Sequence, residues 1–405
     1  MHEHLMIFGI TLVILGYGFY SKLLSKYNIS GPMIFTAVGI ILSPLMLRDS
    51  AVNINAEVVQ VVAEIALILI LFSDAATLNL QKLKAHWRLP ARLLFVAMPI
   101  TIIITYFTGR AFFPDEAPLY ILLLALILAP TDAALGKIVV SDKRIPETIR
   151  NTINVESGLN DGIVFPVLLT VIAMIASQNS GSSDGWLGYI AQQISIGAIA
   201  GAFVGWIGAK LSQISMKKEW VEHQYLNLIP IALAIFSFYV AEYFHGNGYI
   251  AAFFAGLLLG NTNKAIKKNV EEFAESEGEF LIMITFLVFG LVFVPLMLPY
   301  LSLEVWIFSL LSLTLLRIIP IIISLGFFKL DLVTRLFIGW FGPRGIASIL
   351  YILVAVHTLG SIEGHEKIYA VASLTILLSI ILHGLSAKPL AIRYAKTHFD
   401  TEDKK

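Results

Sequence analysis

Three oxygen-bearing side chains share one face of an apolar run near the middle of the chain. The run reads Asn154-Val155-Glu156-Ser157-Gly158-Leu159-Asn160-Asp161-Gly162. On a helix, Ser157, Asn160 and Asp161 are spaced i, i+3, i+4 and line up. Glu156 sits four residues before Asn160. A hydroxyl, an amide and a carboxylate are hard donors, suited to a small alkali cation rather than a soft metal. The carboxylate can also take a proton.

A second group follows a proline, in Ala129-Pro130-Thr131-Asp132-Ala133. Pro130 removes a backbone donor and frees a carbonyl one turn earlier, so a helix is expected to break here. Phe341-Gly342-Pro343-Arg344-Gly345 is a matching interruption. Half-helix N-termini carry partial positive charge and C-termini partial negative charge. Asp132 can offset the first and Arg344 the second, while freed carbonyls, that of Thr131 included, can ligate a cation. Arg317 is another charge in an apolar run. Glu156 is its best carboxylate partner, in a pair that holds two helices in register rather than adding net stability. Asp74 is either a further ligand or part of a solvated funnel. Glu64 is expected to face water or a subunit interface, and His383 to be a hydrogen-bonded packing residue.

The elements that carry these groups follow from composition. The chain has 405 residues, 57% hydrophobic and 14% charged, with mean hydropathy +0.81. Soluble globular chains are about a quarter charged, so the solvent for most of this chain is lipid. The formal net charge of zero gives no case for nucleic acid, and the absence of cysteine removes disulfides, thiolate metal sites and thiol nucleophiles. Met1-His2-Glu3-His4 lacks the basic start of a secretion signal.

A spanning helix needs about 20 mostly apolar residues. Thirteen runs qualify: 5–23, 29–47, 57–77, 90–108, 117–140, 148–177, 186–213, 224–244, 246–260, 279–298, 303–328, 332–356 and 366–390. The ninth is short and could form one broken element with the eighth. Of twenty-eight Lys and Arg, twenty-three fall in the tail, in loops preceding even-numbered spans, or at the span ends that border them. Arg48, Arg110 and Lys367 lie on the other side, and Arg317 and Arg344 lie within spans. The positive-inside rule then puts the N-terminus outside and the C-terminus in the cytoplasm. Asp161 falls about twelve residues into its span, roughly 18 Å along a helix and near mid-membrane. The breaks fall in the fifth and twelfth spans, whose odd separation points them oppositely across the bilayer. That is the pattern of a transporter built from inverted repeats. Residues 261–280 read as a charged loop with a short surface helix, and Gln178–Gly185 as a flexible external loop. Gly197, Gly201 and Gly205 form a small-residue stripe, expected to pack closely within the subunit.

At Thr131-Asp132, Glu156–Gly162, Arg317 and Gly342–Gly345 the chain resembles the monovalent cation:proton antiporters of the NhaP and sodium/proton exchanger type. The resemblance covers nearly the whole chain. It implies an all-α polytopic fold like that of NhaA antiporters, with two inverted six-helix repeats, crossed broken helices and a homodimer. Residues 1–80 and 224–300 would form the dimerisation domain, 81–223 and 301–396 the ion-transport core, and 397–405 a short cytoplasmic tail in place of the larger tail of many relatives. Asp161 would bind the ion and the proton. Asp132, Thr131 and Ser157 would help hold sodium, Asn160 would steady the crossing, and Glu156 would pair with Arg317. Asp74 would approach the ion from the other domain, where relatives usually carry Glu. Asn160-Asp161 replaces the two aspartates of electrogenic relatives and implies electroneutral one-for-one exchange. The resemblance implies no cofactor beyond the transported sodium or lithium and the proton, and a plasma-membrane location.

Other readings compete. Potassium/proton exchange needs only a different cavity size. Organic-anion uptake would want half-helix N-termini with few acids nearby. An intramembrane aspartyl protease also uses two mid-membrane acids, but needs neither buried arginines nor broken helices. A channel needs no carboxylate at which protons compete. Gly246-Asn247-Gly248-Tyr249-Ile250-Ala251 fits a dinucleotide pattern without a preceding strand, His365-Glu366 lacks the second histidine of a zinc protease, and there is no nucleophile elbow.

Overall fold

Lipid offers no hydrogen bonds, so a spanning chain satisfies its backbone within helices. A computed structural model describes residues 2–47, 56–78, 87–180, 186–222, 225–262, 264–273, 278–360 and 363–402. Among them every regular element is helical. The helices are α1 (His2–Lys26), α2 (Gly31–Leu47), α3 (Ala56–Thr77), α4 (Arg88–Phe112), α5 (Pro118–Ile127), α6 (Ala133–Val140), α7 (Glu147–Ser180), α8 (Trp186–Lys217) and α9 (Leu228–Tyr243). They continue as α10 (Gly248–Thr262), α11 (Lys264–Phe273), α12 (Glu279–Tyr300), α13 (Leu303–Leu313), α14 (Leu315–Ser324), α15 (Leu332–Trp340), α16 (Ile346–Leu359) and α17 (Glu366–Glu402).

Among the described residues, seven helices are long and apolar enough to cross a membrane, and five shorter apolar helices accompany them. The chain is a multi-pass membrane protein. A count of thirteen spans follows only if α5–α6, α13–α14 and α15–α16 are each one interrupted span. The expected breaks lie between α5 and α6 and between α15 and α16. The third, at Thr314 (φ −113°, ψ −95°), falls within the run 303–328, for which no break is expected from sequence.

Other departures have local causes. α4 and α12 each contain a π turn, at Leu93–Ala97 and Phe289–Phe293. Pro99 and Pro295 follow them closely, and a wider turn absorbs the hydrogen bond that a proline cannot make. The eighth and ninth spans are separate helices, joined at His245 with φ +59°. The last helix runs to Glu402, well past the expected end of its span at 390. Tyr394 anchors it, stacking on Phe337 with ring centroids 4.2 Å apart. The expected surface helix is α11. It buries Ile266 and Val270, and Lys267 donates 2.7 Å to the carbonyl of Thr77 at the end of α3. Of the expected external loop, 181–185 lie outside the described residues, as do Arg48, Lys82, Lys84, Lys404 and Lys405.

Among the described residues, three large buried clusters and one small one hold the bundle. The largest joins α2, α3, α5, the C-terminal part of α7, α12, α16 and α17. A second joins α3, α8, α9, α10 and α11. A third joins α4, α6, the start of α7, α14, α15 and the end of α17. In the second, the glycine stripe faces backbone: Gly197 meets Asn247, Gly201 meets Ala251 and Gly205 meets Ala255. Small residues let the two helix backbones approach closely, so the stripe packs within the subunit.

A side chain at Gly201 would meet the Ala251 carbonyl, which cannot move without its helix. Gly201→Val is expected to destabilise the fold by about 1–3 kcal/mol, read as a lower unfolding temperature in detergent. At Gly16 an added methyl meets no atom within 4 Å, and Gly16→Ala should leave that temperature unchanged.

Candidate functional site

Both breaks leave orphaned amides and carbonyls, and in lipid each must find a partner. The two interruptions cross and satisfy each other. The Asp132 amide donates to the Pro343 carbonyl at 2.8 Å. Asp132 Oδ2 accepts the Ile346 amide at 2.6 Å, at the start of α16, and Oδ1 accepts the Leu135 amide of α6 at 3.4 Å. One carboxylate thus caps two half-helix N-termini. Arg344 does the reverse: its Nη1 donates to the carbonyls of Ala129 and Pro130 past the end of α5, at 3.2 and 3.0 Å. Ser348 Oγ donates to the Ile127 carbonyl at 2.7 Å. Asp132 and Arg344 sit at the half-helix ends, Arg344 reaching across to the other broken span and Asp132 serving both its own span and the other.

Glycines make room for these charges. A side chain at Gly345 would collide with the Asp132 carboxylate, and one at Gly342 with the Arg317 guanidinium. Arg317 Nη2 lies 3.0 and 3.2 Å from the two Glu156 carboxylate oxygens, and Nε donates to the Gly339 carbonyl at 3.1 Å. Each of this pair is only 4% exposed. The pair expected from sequence therefore forms, tying α7 to α14 and to the end of α15.

Helix α7 brings the remaining groups to the crossing. Asn160 Nδ2 donates to Thr131 Oγ1 at 2.7 Å, and Thr131 Oγ1 lies 3.0 Å from Ser157 Oγ. Asn160 Nδ2 also lies 3.4 Å from the Thr131 carbonyl. Thr131, Ser157 and Asn160 thus form one buried network at the unwound end of α5. Asp161 follows on the same helix, and its Oδ1 is buried without a hydrogen-bond partner. The charges of Asp74, half-buried near the end of α3, and of Asp132 both act on it. Asp161 borders a small crevice whose lining includes Gly162, Phe165, Tyr249, Phe253 and Phe254. Among the described residues no three acids or histidines converge as a metal cluster. A cation here would rely on mixed carboxylate, hydroxyl and carbonyl oxygens.

Sequence reasoning missed some supports. Tyr351 of α16 donates to the Asp161 carbonyl at 3.3 Å, and Leu78 packs against Gly158. A tyrosine in an apolar run was the only available signal for the first. Outside the spans, Arg150 bonds the Ile145 carbonyl at 3.0 Å, bracing the link from α6 to α7. In the same link, hydrogen bonds from Arg144 hold the Asp142 carboxyl below the ordinary aspartate range.

Removing one member of the buried ion pair strands the other. Glu156→Gln or Arg317→Met alone should destabilise by about 3–5 kcal/mol, and the double variant should recover much of the loss. Thermal unfolding of the four proteins measures the cycle.

Residues 9–393 match the profile of the sodium/hydrogen exchanger transmembrane family. The chain is 23% identical over 390 residues to the K⁺/H⁺ antiporter NhaP of Alkalimonas amylolytica, an alignment covering 95% of this chain and 66% of that protein. The chain thus spans just under two thirds of that relative's length. It is 25% identical over 386 residues to a Na⁺/H⁺ antiporter of Schizosaccharomyces pombe, covering 87% of this chain and 80% of the relative. Its fold matches the sodium proton antiporter MjNhaP1 of Methanocaldococcus jannaschii with TM-score 0.78, over 98% of this chain and all of that one, at 21% identity.

Proposed function

The chain belongs to the sodium/hydrogen exchanger family, and from that premise we propose that it exchanges one sodium ion for one proton, with Asp161 as the shared binding group. Members of this family are transporters, not enzymes. The observation that carries the proposal is the buried, unpartnered Asp161 Oδ1, one turn along α7 from the Ser157 that bonds Thr131, with the charge of Asp132 acting on it.

The chemistry follows from burial. A bare carboxylate in a low-dielectric interior is expensive. Asp161 is therefore stable when it holds a proton or a cation, and the two compete for the same oxygens. Asp132 is already engaged with two backbone amides, and Glu156 with Arg317. Asn160 is neutral. With Asp161 as the exchanging group, one charge crosses for one and transport is electroneutral. Oxygens of Thr131, Ser157 and Asp132 complete the sodium site, and Asp74 approaches from α3. The commitment of Asp132 to amides argues against a protease, which needs two cooperating aspartates. Potassium is the second candidate cation, since the relative in Alkalimonas amylolytica is named a K⁺/H⁺ antiporter.

In this reading residues 81–223 and 301–396 form the moving core, and 1–80 and 224–300 the static unit of a homodimer. The apolar window of α1 is 0% buried within the subunit, which leaves it free for a second copy or lipid. The basic residues place the N-terminus outside and the C-terminus in the cytoplasm of a cell membrane.

Purified protein in vesicles, with a pH dye inside and an imposed Na⁺, Li⁺ or K⁺ gradient, tests the assignment. Sodium and lithium should move protons outward with or without a clamp on membrane potential. Asp161→Asn should abolish the signal while remaining folded, and an Asp161→Asn protein that still exchanges would refute the proposal.

A further inference from the structure

His383 on α17 plays no part in the competition just described, yet it is only 1% exposed. Its Nε2 lies 2.9 Å from the carbonyl oxygen of Trp340, the last residue of α15. A carbonyl only accepts, so Nε2 carries a proton. Its Nδ1 lies 3.1 Å from both Ser379 Oγ and the Ser379 carbonyl oxygen, one turn earlier on α17. Ser379 Oγ also accepts the Arg344 amide at 2.6 Å. The chain therefore runs from the Arg344 N–H through Ser379 to His383, and from His383 to the Trp340 carbonyl.

Both ends of this chain belong to the same break. Trp340 offers an acceptor from the terminated α15, and Arg344 a donor ahead of α16. One imidazole reaches both sides of the break, Nε2–H meeting the Trp340 carbonyl and Nδ1 meeting the Ser379 that holds the Arg344 amide. The Trp340 ring is also fixed, tilted against His383 with centroids 4.9 Å apart and donating from Nε1 to Ser386 Oγ at 2.9 Å. Between the two anchors lie Pro343, whose carbonyl takes the Asp132 amide, and beyond them Ile346, whose amide binds the Asp132 carboxylate.

We propose that His383, its Nε2–H held by the Trp340 carbonyl, is a positioning residue for cation binding: it fixes the 341–345 break and through it the placement of Asp132. The transport consequence rests on the antiport reading, whereas the Nε2–H rests on the hydrogen-bond geometry alone.

Two measurements test it. The first is nitrogen NMR of histidine-labelled protein in bilayers, with His383 identified by the signals lost in His383→Gln. A protonated Nε2 is expected, and a bare Nε2 overturns the proposal whether or not the protein transports sodium. The second uses the same vesicles with sodium chloride and, in parallel, potassium chloride. His383→Leu should raise the half-saturating cation concentration by about tenfold, the size of effect of a buried polar group left unpaired. The maximal rate should fall less. His383→Gln, whose amide can still reach the Trp340 carbonyl, should regain part of the affinity. Unchanged half-saturation in the Leu variant, or a loss of rate alone in both variants, contradicts the positioning role. If His383→Leu does not fold, Ser379→Ala must show the same weakened cation affinity, and wild-type affinity there contradicts the proposal equally. Wild-type vesicles inert to both salts would instead sink the antiport reading and leave the NMR result to decide the bridge.

Discussion

The reciprocal capping at the crossing is the constraint on which the site depends. Two helices stop in mid-bundle, and their ends have no water to bond. Asp132 takes amides from α6 and α16, while Arg344 covers the last carbonyls before the other break. Each charge is stabilised by dipoles of opposite sign, so neither needs the other as an ion-pair partner. This leaves an unwound, oxygen-rich segment at Thr131 that is held rigidly without a closed hydrogen-bond ladder.

The buried charges then sort into those that are committed and the one that is not. Glu156 and Arg317 neutralise each other and lock α7 against α14 and the end of α15. Thr131, Ser157 and Asn160 bond among themselves. Asp161 has a buried oxygen with no protein partner, faces a crevice, and feels two further acids. A proton or a small cation answers that deficit.

Much of this was legible in the sequence because membrane burial makes charge informative. Mid-span acids and arginines are few, so Glu156 with Arg317 could be paired by elimination, and Pro130 and Pro343 marked the breaks. The i, i+3, i+4 spacing put Ser157 and Asp161 on one face, as the structure has them. What sequence could not give was which broken end meets which, because that depends on how two segments 200 residues apart cross. Hence the swap of Asp132 onto Ile346 was unforeseen. The π turns before Pro99 and Pro295 and the break at Thr314 also escaped, since a mostly apolar run hides its local winding. His383 was foreseen as a satisfied packing residue, but its partners lie on a helix whose approach no periodicity reports.

The central claim is that one carboxylate holds either a proton or a cation. Calorimetric titration of the detergent-solubilised protein with sodium, in buffers of differing ionisation enthalpy, counts the protons released per ion bound. The account predicts about one proton released at a pH where the site starts protonated, and none at a pH where it starts bare. Sodium binding that releases no proton at any pH would contradict it.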